Sequence, residues 1–185
     1  MDAIHLLPLG GASPDLAGAL PGPLRQTFRM GVQLREFSLD PEPFLDGERG
    51  QYNSTDILMH IKSHYPGLQN GPGVCTLALV PFDLFIPILT YVFGEAEVGG
   101  NVAVVSYYRL APERYGLPPD NNLLSSRLIK EVVHELGHVF SLIHCSAQSC
   151  VMHSSSYVEE IDLKERSFCR VCASDLALRG RRSSA

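Results

Sequence analysis

The pattern of hydrophobic and polar positions predicts a mixture of strands and helices over most of the chain. Short apolar runs at residues 3–9, 75–80, 89–93 and 102–108 predict buried strands, and the last three are rich in β-branched and aromatic side chains. Residues 32–39 alternate apolar with polar side chains, as a half-buried strand does.

Helical spacing and capping residues predict the remaining elements. Residues 15–28 carry apolar side chains at helical spacing, interrupted by two prolines, and residues 53–65 begin with the cap sequence Asn-Ser-Thr. Residues 40–51 contain two prolines and two glycines and predict a loop. Asn121 or Asn122 is expected to cap a long helix. This order predicts an α/β (α+β) sandwich-like fold followed by an irregular cysteine-rich part.

Length and composition favour one hydrophobic core. The chain has 185 residues, of which 45% are apolar and 19% charged. We expect a single domain over residues 1–185, in which residues 1–143 form the sheet and the long helix. Residues 144–185 then form a smaller C-terminal part that contains four cysteines.

Charge and targeting signals narrow the possible partners. The net charge of −5 disfavours broad nucleic-acid binding, and the N-terminal sequence lacks the pattern of a secretory signal. The longest apolar stretch, residues 74–94, is interrupted by Pro81, Asp83 and Pro87, so two buried strands explain it better than a membrane span. We expect a cytoplasmic monomer without membrane or nucleic-acid partners.

The long helix contains the pattern H-E-x-x-H. Residues four apart lie on one helix face, so His134 and His138 can bind one metal ion, with Glu135 beside them. His144 is the third candidate ligand, because catalytic zinc takes three protein ligands and leaves one position for water. Zinc lowers the pKa of a bound water from about 16 toward 7, and Glu135 would accept its proton during attack on a peptide carbonyl.

A chance occurrence on an amphipathic helix is the alternative interpretation of this pattern. His60 and His64 offer a comparison within the chain, since they also lie four apart on a predicted helix. They have no adjacent glutamate and no third partner nearby, so we interpret them as surface or partly buried histidines.

Four of the five cysteines form a second candidate metal site. Cys145, Cys150, Cys169 and Cys172 have the spacing C-x4-C…C-x2-C, which fits a closed tetrahedral structural zinc site. Two disulfides or free buried thiols are the alternatives. Cys75 stands apart from this cluster among apolar neighbours.

Taken together, the H-E-x-x-H pattern, His144-Cys145, Cys150-Val151-Met152 and Cys169-x-x-Cys172 resemble the archaemetzincins, an intracellular branch of the metzincin metalloproteases. The resemblance is strongest over residues 130–172 and covers about half of the chain with recognisable motifs. It implies a twisted mixed sheet with an antiparallel edge strand along the cleft, a backing helix, an active-site helix and a zinc-bound C-terminal part.

The resemblance also implies a role for each site residue. His134, His138 and His144 would bind a catalytic zinc ion, with Glu135 as the general base, and the four cysteines would bind a second, structural zinc ion. Met152 would be the methionine of the Met-turn, although a methionine by itself is more often core filling.

Ser141 departs from the metzincin pattern, which has a glycine three residues before the third histidine. A non-glycine residue with positive φ costs about 1 kcal/mol, so the catalytic zinc depends on whether Ser141 accepts this strain. His144 and Cys145 are adjacent, which leads to the hypothesis that the four-cysteine site fixes this turn and helps to orient His144.

Other residues near the motifs have both functional and structural interpretations. Residues 93–99 are the candidate edge for an extended peptide substrate. Glu95 and Glu97 in this segment either select a basic residue or amino terminus, or simply solvate the edge. His153 and Tyr157 are candidates for oxyanion stabilisation, with structural roles as the alternative.

The leading hypothesis is a zinc metallopeptidase that acts on peptides or proteins. One alternative is a zinc-stabilised peptide-binding protein that has lost catalytic activity, and another is a zinc-ribbon nucleic-acid module, which the acidic net charge disfavours. The chain contains neither G-x-S-x-G nor G-x4-G-K-[ST], so serine-hydrolase and P-loop chemistry have no support.

Overall fold

A computed structural model describes residues 3–69 and 74–182 of the chain. The strands in these ranges are β1 (Ala3–Pro8), β2 (Gly31–Leu34), β3 (Leu45–Asp46), β4 (Gln51–Asn53), β5 (Val74–Val80), β6 (Leu84–Phe85), β7 (Gly94–Ala96) and β8 (Val102–Ser106). The α-helices are α1 (Pro14–Ala19), α2 (Pro21–Phe28), α3 (Ser54–His64), α4 (Pro66–Gln69), α5 (Asn121–Val139), α6 (Val158–Leu163) and α7 (Arg170–Arg182). Short 3-10 helices occupy Glu42–Phe44, Tyr108–Leu110 and Pro112–Tyr115.

The main sheet has five strands in the order β2-β1-β5-β8-β7. The first four are parallel, and β7 pairs antiparallel with β8 at the edge, with Gly94 opposite Val105 and Ala96 opposite Ala103. A smaller mixed sheet has the order β3-β4-β6. The predicted α/β fold with a mixed sheet is therefore confirmed.

The two faces of the main sheet are covered by different helices, because successive side chains in a strand point to opposite sides. Leu6, Leu77 and Ala103 belong to a buried cluster that contains residues of α1, α2 and α5. Leu7 and Ala78 belong to a second buried cluster that contains residues of α3. Both faces of β1, β5 and β8 are thus buried, which explains why their sequences are almost continuously apolar, whereas β2 at the edge is mostly exposed.

The C-terminal part packs on the long helix α5. Arg127 on α5 makes a bidentate ion pair with Asp162 on α6, with Nε and Nη2 at 2.8 and 2.7 Å from the carboxylate oxygens. Lys130 Nζ donates to the carbonyl of Ile161 at 2.9 Å. Val158 and Ile161 add buried side chains to the cluster that contains α5.

Several sequence predictions were wrong in detail. Residues 89–93 do not form a strand; Val92 makes only an isolated bridge with Leu84, and the strand begins at Gly94. The predicted strand at 32–39 ends at Leu34, and the predicted loop at 40–51 contains a 3-10 helix and β3.

The cap of α5 was also predicted at the wrong residue. The capping residue is Asp120, whose backbone is extended and whose side chain accepts from the N–H groups of Asn122 and Leu123 at 2.9 and 3.0 Å. Across the described ranges, none of the helices has the length and apolar composition needed to cross a bilayer.

Candidate metal centre

The second half of α5 is buried, and it presents His134 and His138 from one helix face. Their exposed fractions are 5% and 9%, and the residues around them from Glu131 to Val139 are buried as well. Burying a polar side chain is costly unless it is hydrogen-bonded. Both histidines therefore need hydrogen-bond partners.

Backbone carbonyls provide partners for one ring nitrogen of each histidine. His134 Nδ1 donates to the carbonyl of Val151 at 2.8 Å, and His138 Nδ1 donates to the carbonyl of Leu142 at 2.8 Å. With the proton on Nδ1, the Nε2 atom of each ring is unprotonated and free to bind a metal.

These two Nε2 atoms lie only 3.1 Å apart. Two nitrogen lone pairs at this distance repel each other unless a cation lies between them. Tetrahedral zinc with Zn–N bonds of 2.0–2.1 Å needs ligand nitrogens about 3.3 Å apart, so the spacing fits a shared zinc ion.

His144 completes the group. One ring nitrogen from each of His134, His138 and His144 lies within 4.8 Å of the others, and His144 is the exposed member. Burial lowers the pKa of all three imidazoles, which keeps them neutral and able to coordinate a metal.

The turn after α5 brings His144 to this position. Ser141 adopts the left-handed conformation with φ of 67°. The N–H of Ser141 donates to the carbonyl of His138 at 2.8 Å, and the N–H of Leu142 donates to the carbonyl of Gly137 at 2.9 Å. The helix therefore ends with a left-handed residue and capped carbonyls, although this residue is a serine.

Glu135 lies in the same cleft under the edge strand. A Cβ atom added at Gly94 of β7 would lie 2.7 Å from Glu135 Cγ and 2.8 Å from the carbonyl oxygen of Val104, so only glycine allows this close approach. Burial raises the pKa of Glu135 well above its usual value, and the charges of Glu131 and Glu95 raise it further. A carboxylate with a raised pKa is suited to take up a proton near neutral pH.

The cleft has a volume of about 580 Å³ and is lined by the three histidines and Glu135. Residues 86 and 89–93, which are apolar or aromatic except for Thr90, form one wall, and residues 154–157 form a second wall. Tyr91 joins the two walls, because its hydroxyl donates to the carbonyl of Ser156 at 2.7 Å.

The four cysteines form a separate cluster next to the histidines. The Sγ atoms of Cys145, Cys150, Cys169 and Cys172 all lie within 4.8 Å of one another, and all five cysteines of the chain are free thiols. Cys145 Sγ and Cys169 Sγ are 3.8 Å apart. Tetrahedral zinc with Zn–S bonds of 2.3 Å places its sulfur ligands about 3.8 Å apart, so this cluster also fits a zinc ion.

The thiols of this cluster differ among themselves, since burial raises the pKa of Cys150 and of Cys172. The backbone N–H of Cys172 lowers the pKa of Cys169 to about 7, which favours the thiolate that binds metal. Burial raises the pKa of Cys75 to about 12, so that thiol stays protonated.

Met152 lies in a tight turn against α5. The N–H of His153 donates to the carbonyl of Cys150 at 2.9 Å, and the N–H of Cys145 donates to the carbonyl of Met152 at 2.9 Å. Met152 is fully buried, and a Cβ atom added at Gly137 would lie 2.4 Å from its sulfur. The turn thus places the thioether of Met152 against Gly137, a residue that lies between His134 and His138 in the sequence.

The remaining candidates from the sequence have other partners. Glu95 accepts hydrogen bonds from the hydroxyls of Ser54 and Thr55 at the start of α3, and Glu97 pairs with Lys62 at 2.6 Å. Glu95 therefore has hydrogen-bond partners within the fold, whereas Glu97 forms an ion pair that is exposed to solvent.

The two candidates for oxyanion stabilisation, His153 and Tyr157, differ in their surroundings. His153 Nδ1 donates to the carbonyl of Cys145 at 2.9 Å, whereas Tyr157 is 65% exposed and lines the cleft.

His60 and His64 lie apart from the candidate metal groups. Their rings stack at 4.2 Å between centroids, and His64 Nδ1 contacts the carbonyl of His60 at 2.9 Å. His60 is partly buried and His64 is exposed, as expected for surface or partly buried histidines.

Two buried residues of the cleft region were not singled out from the sequence. Glu131 lines the cleft and pairs with Lys164, whose Nζ is 3.2 Å from Glu131 Oε1. Glu131 precedes Glu135 by one helical turn, and this spacing could have indicated that Glu131 faces the cleft. No such signal exists for Lys164, because it lies 33 residues from Glu131 in the sequence.

Known proteins resemble the chain over most of its length. The profile of peptidase family M54 matches residues 43–178. An archaemetzincin of Methanocaldococcus jannaschii is 36% identical over 177 residues, which cover 96% of this chain and 94% of that protein.

Two solved structures have similar folds. The archaemetzincin of Methanopyrus kandleri has a TM-score of 0.84 at 32% identity, with 98% of this chain and 96% of that chain covered. A zinc-dependent peptidase of Methanocorpusculum labreanum has a TM-score of 0.84 at 28% identity, with 94% and 99% covered.

Proposed function

Because the chain belongs to peptidase family M54, the archaemetzincins, we propose that it hydrolyses peptide bonds with a zinc ion held by His134, His138 and His144. The observation that carries this proposal is the convergence of three imidazole rings, two of them with an unprotonated Nε2 atom, beside the buried carboxylate of Glu135. The spacing of 3.1 Å between the two Nε2 atoms also fits a shared cation.

The metal and Glu135 have different roles in the proposed reaction. Zinc, when bound, supplies a Lewis acid that lowers the pKa of water and polarises a carbonyl. Glu135 accepts the proton of the attacking water and passes it to the leaving amine. Burial raises the pKa of Glu135, which makes its carboxylate a stronger proton acceptor for the first of these steps.

The substrate is proposed to be an extended segment of a peptide or protein. In the described residues, β7 pairs with β8 on one side only, and Gly94 brings this strand over Glu135. A peptide that adds to the free edge of β7 would place its backbone beside Glu135, held by main-chain hydrogen bonds that tolerate many sequences.

A second, structural zinc ion is proposed at the four cysteines, which gives two zinc ions per chain. The spacing of the sulfur atoms supports this site, and the four cysteines would fill every coordination position of the ion. Free thiols fit a reducing compartment, so we propose a cytoplasmic location. Met152 is proposed as the methionine of the Met-turn, on the strength of its packing against Gly137.

Replacement of Glu135 by Gln tests the proposal, because Gln keeps the size of the side chain but cannot accept the proton. We expect hydrolysis of a mixed peptide library to fall by about 10²- to 10⁴-fold while zinc content stays at the wild-type level. Equal cleavage by the wild type and Glu135→Gln would contradict the proposed chemistry. Thr55→Ser, which keeps the hydroxyl that contacts Glu95, is a control expected to leave hydrolysis unchanged.

A further inference from the structure

The cleft region contains a buried ion pair that has no role in the proposed reaction. Lys164 Nζ lies 3.2 Å from Glu131 Oε1, and the two side chains are only 1% and 5% exposed. Glu131 lines the same cleft as the three histidines, one helical turn before His134 and Glu135. Burying two charges is costly, so the pair needs an explanation beyond general stability.

The position of Lys164 connects the pair to both proposed metal sites. Besides Glu131, its Nζ donates to the carbonyl of His153 at 3.0 Å, directly after Met152. His153 in turn donates from Nδ1 to the carbonyl of Cys145, the neighbour of His144. The ammonium group is therefore fixed close to the segment that carries the third histidine.

The charge of Lys164 lies close to the histidines. Its Nζ is 3.2 Å from Oε1 of Glu131, and Glu131 lines the cleft together with the three histidines, one helical turn before His134. Like charges repel strongly in a buried site, so the charge of Lys164 disfavours a divalent cation bound to the histidine rings. Neutral imidazoles do not offset the charge of such a cation, so a nearby anion is needed.

We propose that Glu131 is the positioning and charge-compensating residue of the trihistidine site: it holds Lys164 in place and cancels a positive charge that would otherwise oppose metal binding. The inference rests on the proposed zinc site. It predicts that the two members of the pair affect zinc affinity in opposite directions, whereas a purely structural pair would weaken binding equally when either member is lost.

Three variants with zinc affinity as the readout test this. Glu131→Gln keeps the side-chain size and leaves Lys164 as an unpaired cation, so we expect the weaker of the two bound zinc ions to bind about tenfold less tightly or worse. Lys164→Met removes the opposing charge, so affinity should equal or exceed that of the wild type. The double variant should return to within about threefold of the wild type, because the two charge changes cancel.

Asp162→Asn is the matched control. Asp162 also joins α6 to α5 by an ion pair, with Arg127, but that pair lies two helical turns before His134 and does not line the cleft. We expect zinc affinity to stay unchanged in this variant even if the protein becomes less stable.

Zinc affinity is measured by chelator competition on the full chain at pH 7, with unfolding by urea measured in parallel. Equal weakening in Glu131→Gln and Lys164→Met, or unchanged affinity in Glu131→Gln, would overturn the inference and leave the proposed function standing. A wild type that binds only one zinc ion would instead contradict the proposed function. If Lys164→Met fails to fold, the comparison of Glu131→Gln with the double variant and Asp162→Asn remains decisive.

Discussion

Ser141 determines how the chain leaves α5 and turns toward His144. Its φ of 67° is a conformation that costs a non-glycine residue about 1 kcal/mol. The hydrogen bonds of the turn, from Ser141 and Leu142 to carbonyls of α5, are nevertheless formed. The strain is therefore a cost in stability and does not displace His144, which removes the main reason to favour an inactive binding protein.

Replacement of Ser141 by Gly should relieve this strain. We expect the free energy of unfolding to rise by about 1 kcal/mol, with zinc content unchanged, because glycine adopts positive φ without a Cβ clash. Urea denaturation at constant zinc measures the change. Arg29, the other non-glycine residue with positive φ in the described ranges, ends α2 at φ 58°, so Arg29→Gly is a control expected to show a similar gain. A gain in Arg29→Gly but none in Ser141→Gly would contradict the account of strain.

The structure brings together both groups of candidate ligands that the sequence pointed to, because their spacing follows local geometry. His134 and His138 lie four apart on a helix, and the cysteine pairs lie close in sequence, so both groups could be recognised without knowing the fold. The contact between Glu131 and Lys164 could not, because it joins residues 33 positions apart. The close approach of Gly94 to Glu135 could not be predicted either, because it depends on how β7 packs on α5.

At the level of elements, the cleft forms where β7 crosses over α5. The strand was predicted too early in the chain because residues 89–93 have high β propensity, which reflects packing against a partner more than an intrinsic backbone preference. On this side of β8, ladder pairing runs from Gly94 to Ala96, and the N–H of Ser106 donates to the carbonyl of Phe93 at 2.8 Å. The residues before Phe93 line the cleft instead.

Replacement of Gly94 by Ala should disturb this crossing. The new Cβ atom would meet Glu135 Cγ at 2.7 Å and a backbone oxygen at 2.8 Å, so Glu135 or the strand must move. We expect kcat/KM for a peptide substrate to fall by about 10- to 100-fold, since small misplacements of a catalytic group are costly. Gly47→Ala, at a position with open space around it, is the control expected to keep full activity. Wild-type kinetics in Gly94→Ala would show that the strand does not position Glu135.

The four-cysteine cluster is coupled to the histidines through short backbone contacts. Val151, next to Cys150, accepts the hydrogen bond from His134, and Cys145 follows His144 directly. The N–H of Cys145 also bonds the carbonyl of Met152. A metal that holds the cysteines would therefore restrain two of the three histidine rings.

Replacement of Cys172 by Ser tests this coupling. We expect the loss of the structural zinc ion and a drop of about tenfold or more in the affinity of the trihistidine site, because outer-shell contacts that orient ligands typically matter by 10- to 100-fold. Zinc per chain and peptide hydrolysis are measured together. Cys75→Ser, which perturbs a buried thiol far from the cluster in sequence, is the control expected to keep both metals. Loss of one metal with hydrolysis intact would count against the coupling.

At the level of the whole molecule, residues on both sides of position 144 share one core. The cluster that contains Leu6 and Leu136 also contains Met152, Ile161 and Cys172. We therefore propose that residues 1–185 form a single domain, with the C-terminal part as an extension of its core and not a unit that folds by itself.

A single domain should unfold in one transition when both metals are bound. At saturating zinc, we expect the calorimetric and van't Hoff enthalpies to agree, because separating residues 144–182 would expose the apolar face of α5 and leave Arg127 without its partner Asp162. For a monomer, the midpoint should also stay constant over a tenfold range of protein concentration. An early transition reported by cysteine reactivity, ahead of the loss of helix, would show that the C-terminal part unfolds independently, and a midpoint that rises with concentration would contradict the monomer. Because the histidine and cysteine sites both lie at the boundary between the two parts, a shared transition would also mean that zinc binding at either site stabilises the entire fold.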